Sequence, residues 1–177
     1  VETGGTFDLS QAMSAALKQM PEVYLAPGEF RFATSPTRLR TILGSCVAVT
    51  LWHPERKIGG MCHYMLPSRA RCSTALNGMY ADEAIELFVR QAKAHRTEPE
   101  DYQLKLFGGG EMFPELQRQV PFGDVARMNV NAALEMAALY RLDLIAQDMG
   151  STGYRSIIFD LCSGDVWVRH QPIRTRH

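Results

Sequence analysis

A chain of 177 residues with 46% hydrophobic side chains has room for one domain with a real core, and two ordinary domains would be a stretch. Lysine plus arginine equals aspartate plus glutamate at 19 each, so no net field attracts a polyanion and nucleic acid is not expected as a partner. No apolar run approaches the roughly 20 residues that span a bilayer, and Val1-Glu2-Thr3-Gly4-Gly5 has neither the basic nor the apolar region of a secretory signal.

In chain order, Asp8 to Met20 carries apolar residues at helical spacing (Leu9, Met13, Ala16, Leu17, Met20) and should end at Pro21. Glu22 to Ala26 reads as a short strand, and Pro27-Gly28 as a turn. Glu29 to Thr34 alternates like a second strand, and Leu39 to Leu43 runs extended into a Gly44-Ser45 turn. Val47 to Trp52 is β-branched and reads as a buried strand; His53 to Lys57 is a polar turn in which His53 should be solvated. Ile58 to Leu66 is the next strand, and Ser68 to Gly78 is a polar loop long enough to suggest a site nearby.

Tyr80 to His95 is the best helix, with Asp82 and Glu83 in its first turn and a stripe at Ala84, Leu87, Phe88 and Ala92. Gln103 to Phe107 is a strand running into Gly108-Gly109-Gly110. Three glycines in a row imply close approach of another backbone or a ligand, yet match no nucleotide-binding pattern. Asp124 to Leu139 reads as a second core helix, with Asn131 as a later alternative start. Leu142 to Asp148 is a strand, Gly150 to Gly153 a turn, and Arg155 to Leu161 with Asp165 to His170 a hairpin closed by Cys162-Ser163-Gly164. The expected fold is α/β in the α+β sense: a single-domain layered sandwich of mixed, mainly antiparallel sheet with flanking helices. Residues 22–170 form the domain, 1–21 a peripheral N-terminal segment and 171–177 a tail.

The chemistry centres on Arg40-Thr41-Ile42-Leu43-Gly44-Ser45-Cys46-Val47, where a tight turn delivers a thiol into a strand. Seventeen positions on, His63 sits in the strand that follows, sharing a face with Met61 and Met65. An imidazole in an adjacent strand could take the thiol proton, and N–H groups at Gly44 to Cys46 could stabilise an oxyanion. The competing reading is a small buried thiol and an interior histidine. A third group usually orients the imidazole; Thr41 is a candidate, against ordinary β-propensity. Cys62 and Cys72 lack such a turn, and Cys162 reads as structural. With no C-x-x-C pair, zinc is not expected, and reduced thiols in a cytoplasmic protein fit best.

These segments resemble one family. Thr41 to Val49, then Gly59-Gly60-Met61-Cys62-His63-Tyr64-Met65-Leu66-Pro67, Tyr80 to Ile85, Lys105 to Phe113, Asn129-Val130, the Gly150 to Arg155 turn and Ser163-Gly164-Asp165-Val166 are similar in order to the CheD chemoreceptor glutamine deamidases. The resemblance implies a protein-glutamine glutaminase, an amidohydrolase that converts glutamines of methyl-accepting chemotaxis receptors to glutamate and in some members hydrolyses glutamyl methyl esters. It implies a Cys-His-Thr triad, here Cys46, His63 and Thr41, no metal or organic cofactor, and in some bacteria a CheC-type phosphatase as partner. Gly44 and Ser45, with Gly108, Gly109 and Gly110, are then expected around the oxyanion and the substrate. One departure is local: some members carry Thr-Leu-Gly-Leu-Gly-Ser-Cys, one residue longer between threonine and cysteine. The alternatives are a non-catalytic adaptor for receptors or a CheC-like phosphatase, and a cysteine amidase or peptidase acting elsewhere.

Overall fold

A computed structural model describes residues 20–70, 75–113 and 124–173. The expected helix from Asp8 to Met20 lies outside them, Met20 apart. The described chain is three layers: a four-stranded sheet, a five-stranded sheet, and two helices on the outer face of the larger sheet.

The small sheet comprises β1 (Glu22–Tyr24), β3 (Arg38–Leu43), β8 (Tyr154–Asp160) and β9 (Val166–Gln171) in the order β1-β3-β8-β9. The large sheet comprises β2 (Phe30–Ala33), β4 (Val47–His53), β5 (Ile58–Tyr64), β6 (Gln103–Gly108) and β7 (Asp143–Met149) in the order β2-β5-β4-β6-β7. Pairing is antiparallel except for β1 with β3 and β6 with β7. That is the mixed, mainly antiparallel sandwich expected of strands joined by short turns.

Burial follows the period-2 rule, and it differs between the sheets. In β3, Leu39, Thr41 and Leu43 are buried while Arg40 and Ile42 are exposed, so one face meets protein and the other water. Every residue of β5 is buried, because both faces of the large sheet are covered. Leu25, Leu39, Leu43, Ala48, Met61 and Phe107 contribute to the core between the sheets. Val47, Val49, Cys62 and Tyr64 point the other way, into the core beneath the helices.

Helix α1 (Ala81–Ala94) buries Ala81, Ala84, Ile85, Phe88, Val89 and Ala92, a stripe at three- and four-residue spacing. Helix α2 (Val125–Leu139) starts at the earlier of its two expected origins. The Asp124 side chain accepts from the Arg127 N–H at 3.0 Å, capping its first turn. No described helix is long and apolar enough to cross a membrane.

One expectation is corrected. His53 is buried, not solvated: its Nδ1 accepts from the Arg56 N–H at 3.3 Å and its ring stands edge-on to Tyr102. The turn after β4 donates two N–H groups back to His53, from Arg56 to the ring and from Lys57 to the carbonyl, and Tyr102 covers the ring, contacts that local polarity did not indicate.

Candidate active site

Three strands from two sheets converge at one end of the sandwich. In the β4–β5 ladder Ala48 lies directly opposite His63. Cys46, two residues before Ala48, points to the same face and packs against the inter-sheet core. It thus lies two residues from the ladder partner of His63, on the inter-sheet side of the large sheet, diagonal to the ring. Cys62 pairs with Val49 and faces the helices, its thiol donating to the Gly78 carbonyl at 3.3 Å, so it is turned away from His63.

The opposite sheet supplies Thr41, buried on the inner face of β3. Its Oγ1 lies 2.7 Å from His63 Nδ1 and 2.7 Å from the Leu25 carbonyl. A threonine hydroxyl has one proton, and a carbonyl can only accept, so the Thr41 proton goes to Leu25. The ring must then donate from Nδ1 to Thr41, which leaves the Nε2 lone pair as the free basic position. Nε2 is buried without a hydrogen-bond partner among the described residues. The shorter spacing between threonine and cysteine does not prevent this contact.

Burial lowers the His63 pKa to about 4, opposed in part by the Leu25 carbonyl. Burial also raises the Cys46 thiol, with a smaller opposing contribution from the Ser45 side chain. The ligand-free pair is thus neutral thiol beside neutral imidazole. The site therefore stores no thiolate in this state.

The turn before Cys46 is braced by the glycine run. The Gly109 N–H donates to the Cys46 carbonyl at 2.7 Å and the Gly110 N–H to the Gly44 carbonyl at 2.8 Å. Those donors, expected near substrate, are engaged within the protein. A Cβ on Gly110 would sit 2.1 Å from the Gly153 carbonyl oxygen, so backbone contact accounts for this glycine. Gly110→Ala should lower stability by about 1–3 kcal/mol, the range for overpacking, measured by urea denaturation. Across the turn, Met112 packs on Gly44, and Asn129 of α2 donates from Nδ2 to the carbonyls of Ser45 (3.0 Å) and Met65 (2.8 Å).

The Ser68 to Gly78 loop is tied to α1 where it is described. Arg69 pairs with Glu83 and donates to the Ala75 carbonyl, and Glu83 accepts from the Asn77 N–H. Among the described residues no three His, Cys, Asp or Glu side chains converge as metal ligands. Two contributors escaped sequence reasoning. The Leu25 carbonyl is backbone and has no residue-type signal; Asn129 was visible only as part of a resemblance.

Comparison with known proteins gives a consistent assignment. A family model described as CheD chemotactic sensory transduction matches residues 65–170. A Pseudomonas fluorescens (strain SBW25) protein named "Probable chemoreceptor glutamine deamidase CheD" is 64% identical over 152 residues, covering 86% of each chain. A protein of the same name from Pseudomonas syringae pv. tomato is 61% identical over 152 residues, 86% of this chain and 90% of its own. A Dechloromonas aromatica (strain RCB) relative, "Probable chemoreceptor glutamine deamidase CheD 3", is 46% identical over 160 residues, 88% of this chain and 91% of its own.

Proposed function

The chain belongs to the CheD family, and from that premise we propose that it is a chemoreceptor glutamine deamidase using Cys46, His63 and Thr41. The observation that carries the reading is the state of His63. Its Nδ1 is committed to Thr41 while Nε2 stays deprotonated and without a partner among the described residues, on the inter-sheet side where Cys46 also packs.

In the reaction, Sγ of Cys46 attacks the side-chain amide carbon of a glutamine as its proton passes to Nε2 of His63. The oxyanion is held by backbone N–H groups of the Gly44 to Cys46 turn. His63 returns the proton to the amide nitrogen, the C–N bond breaks, and ammonia leaves a thioester on Cys46. Water then gives a proton to His63 as its oxygen attacks the thioester, and the proton goes back to sulfur, leaving glutamate and the free thiol. A glutamyl methyl ester would enter the same thioester with methanol leaving, so ester hydrolysis belongs to this reading.

Thr41 orients and does not react. Thr41→Val keeps the volume and removes the link between Leu25 and the ring. It should lower kcat by about 10- to 100-fold, within the span of acid–base contributions, with KM nearly unchanged. Steady-state ammonia release checks this, and an unaltered kcat would move the orienting role elsewhere.

The unit doing this is residues 22–170, working in the cytoplasm on receptor helices, with a CheC-type phosphatase as a further partner. The direct test is mass spectrometry of a chemoreceptor fragment co-expressed with the protein. Specific glutamines should gain about one dalton; a receptor left unmodified, but retained by the protein, would favour the adaptor.

A further inference from the structure

Asn129 is a fully buried polar residue on α2 whose carboxamide joins the turn that enters β4 to the residue that leaves β5. One nitrogen, Nδ2, donates to the Ser45 carbonyl at 3.0 Å, immediately before Cys46, and to the Met65 carbonyl at 2.8 Å, two residues after His63. The helix is keyed to the same strand a second time, since the Tyr64 hydroxyl donates to the Asn129 backbone carbonyl at 2.5 Å. With carbonyls on both contacts, only the amide nitrogen can face them, so the orientation of the side chain is unambiguous. The other end, Oδ1, is buried with no partner among the described residues. Leaving a buried acceptor unsatisfied costs stability, so packing alone is a poor reason for an asparagine here.

The consequence lies in the peptide that Asn129 grips. A trans peptide points its C=O and the following N–H in opposite directions. Helix α2 packs on the outer face of the large sheet, with Ala132, Ala133 and Ala137 in the helix-side core. With the Ser45 carbonyl held by this helix-side donor, the Cys46 N–H of the same trans peptide is directed away from the donor, and the Cys46 side chain packs on the inter-sheet side of the sheet. That N–H stands outside the β4 ladder, which begins at Val47.

We propose that Asn129 is a positioning residue that pins the Ser45 carbonyl on the helix side, so that the Cys46 N–H serves as the oxyanion donor beside its own sulfur. The inference rests on the deamidase reading and names which donor holds the negative charge and what aims it. Asn129 touches neither substrate nor sulfur; it acts through one peptide plane.

The test compares two reactions of the same sulfur in Asn129→Ala. Deamidation of a glutamine-bearing chemoreceptor fragment develops an oxyanion, whereas alkylation by iodoacetamide displaces iodide and develops none. Asn129→Ala should lower kcat roughly 10- to 100-fold, at or below the loss of one oxyanion donor, with KM and the alkylation rate within about twofold. Asn129→Ser, which keeps one donor, should recover part of the loss, and it carries the test should the alanine variant not fold at the assay temperature. An unchanged kcat in a folded variant overturns the proposal, as does a parallel fall of kcat and alkylation, which would mean a purely structural role. A wild-type protein that releases no ammonia sinks the deamidase reading itself; an active wild type with an indifferent Asn129 sinks the positioning role alone.

Discussion

Cys46→Ala is expected to abolish ammonia release from receptor fragments, by at least about 10⁴-fold, since loss of a nucleophile removes the covalent route entirely. The fold should survive. Cys46 is only partly buried and at the margin of the inter-sheet core, so one missing sulfur leaves a small void. A stability change below about 1.5 kcal/mol, the low end for core truncations, is expected by urea denaturation. Measured together, intact stability and absent activity separate a chemical role from a structural one. Residual turnover near the wild-type rate would end the nucleophile assignment.

The second large effect is at His63. His63→Gln retains a polar side chain of similar reach but has no titratable base. The rate should fall about 10²- to 10⁴-fold, the usual contribution of a positioned acid–base group. Because both groups start neutral, the acid limb of kcat/KM in the wild type should lie near the lowered His63 value of about 4, below its ordinary 6.5. An acid limb near 6.5 would show that the ring is solvated in the working enzyme.

Stability carries the same signature. Between pH 6.5 and about 4 the unfolded chain binds a proton at this ring and the folded chain does not. Folding is therefore favoured fully above 6.5 and weakened as the pH falls through that window, by about 3 kcal/mol in all. His63→Gln should lose that dependence. Equilibrium unfolding of the two proteins across the window reads the difference directly.

Much of this site could be anticipated from local pattern. Val47 to His53 is a strand because its β-branched run fits a pleated, covered surface, and α1 is a helix because its apolar stripe recurs at three and four residues. Both signals are carried by neighbours in the chain. Adjacent antiparallel strands joined by a short polar turn made the pairing of β4 with β5 legible as well, which sets Ala48 opposite His63, since register follows from the turn.

Other features depended on surfaces that meet only once the sandwich closes. Thr41 and His63 are 22 positions apart and lie in different sheets; their 2.7 Å contact exists because the sheets pack face to face at that level. The same closure removes water from His63 and Cys46, which is why the ring resists protonation and the thiol resists ionisation. A spacing of residues cannot report its own dielectric. The glycines announced a close approach but not its partners, which proved to be backbone carbonyls.

By itself, then, the order of residues determined the elements and the family and singled out Cys46 and His63 as the candidate side chains, because periodicity and turn chemistry act over a few residues. Tertiary structure alone decided which ring nitrogen is free, that both groups rest uncharged, and which carbonyl Asn129 holds. Those are properties of contacts between distant segments and of the water they exclude.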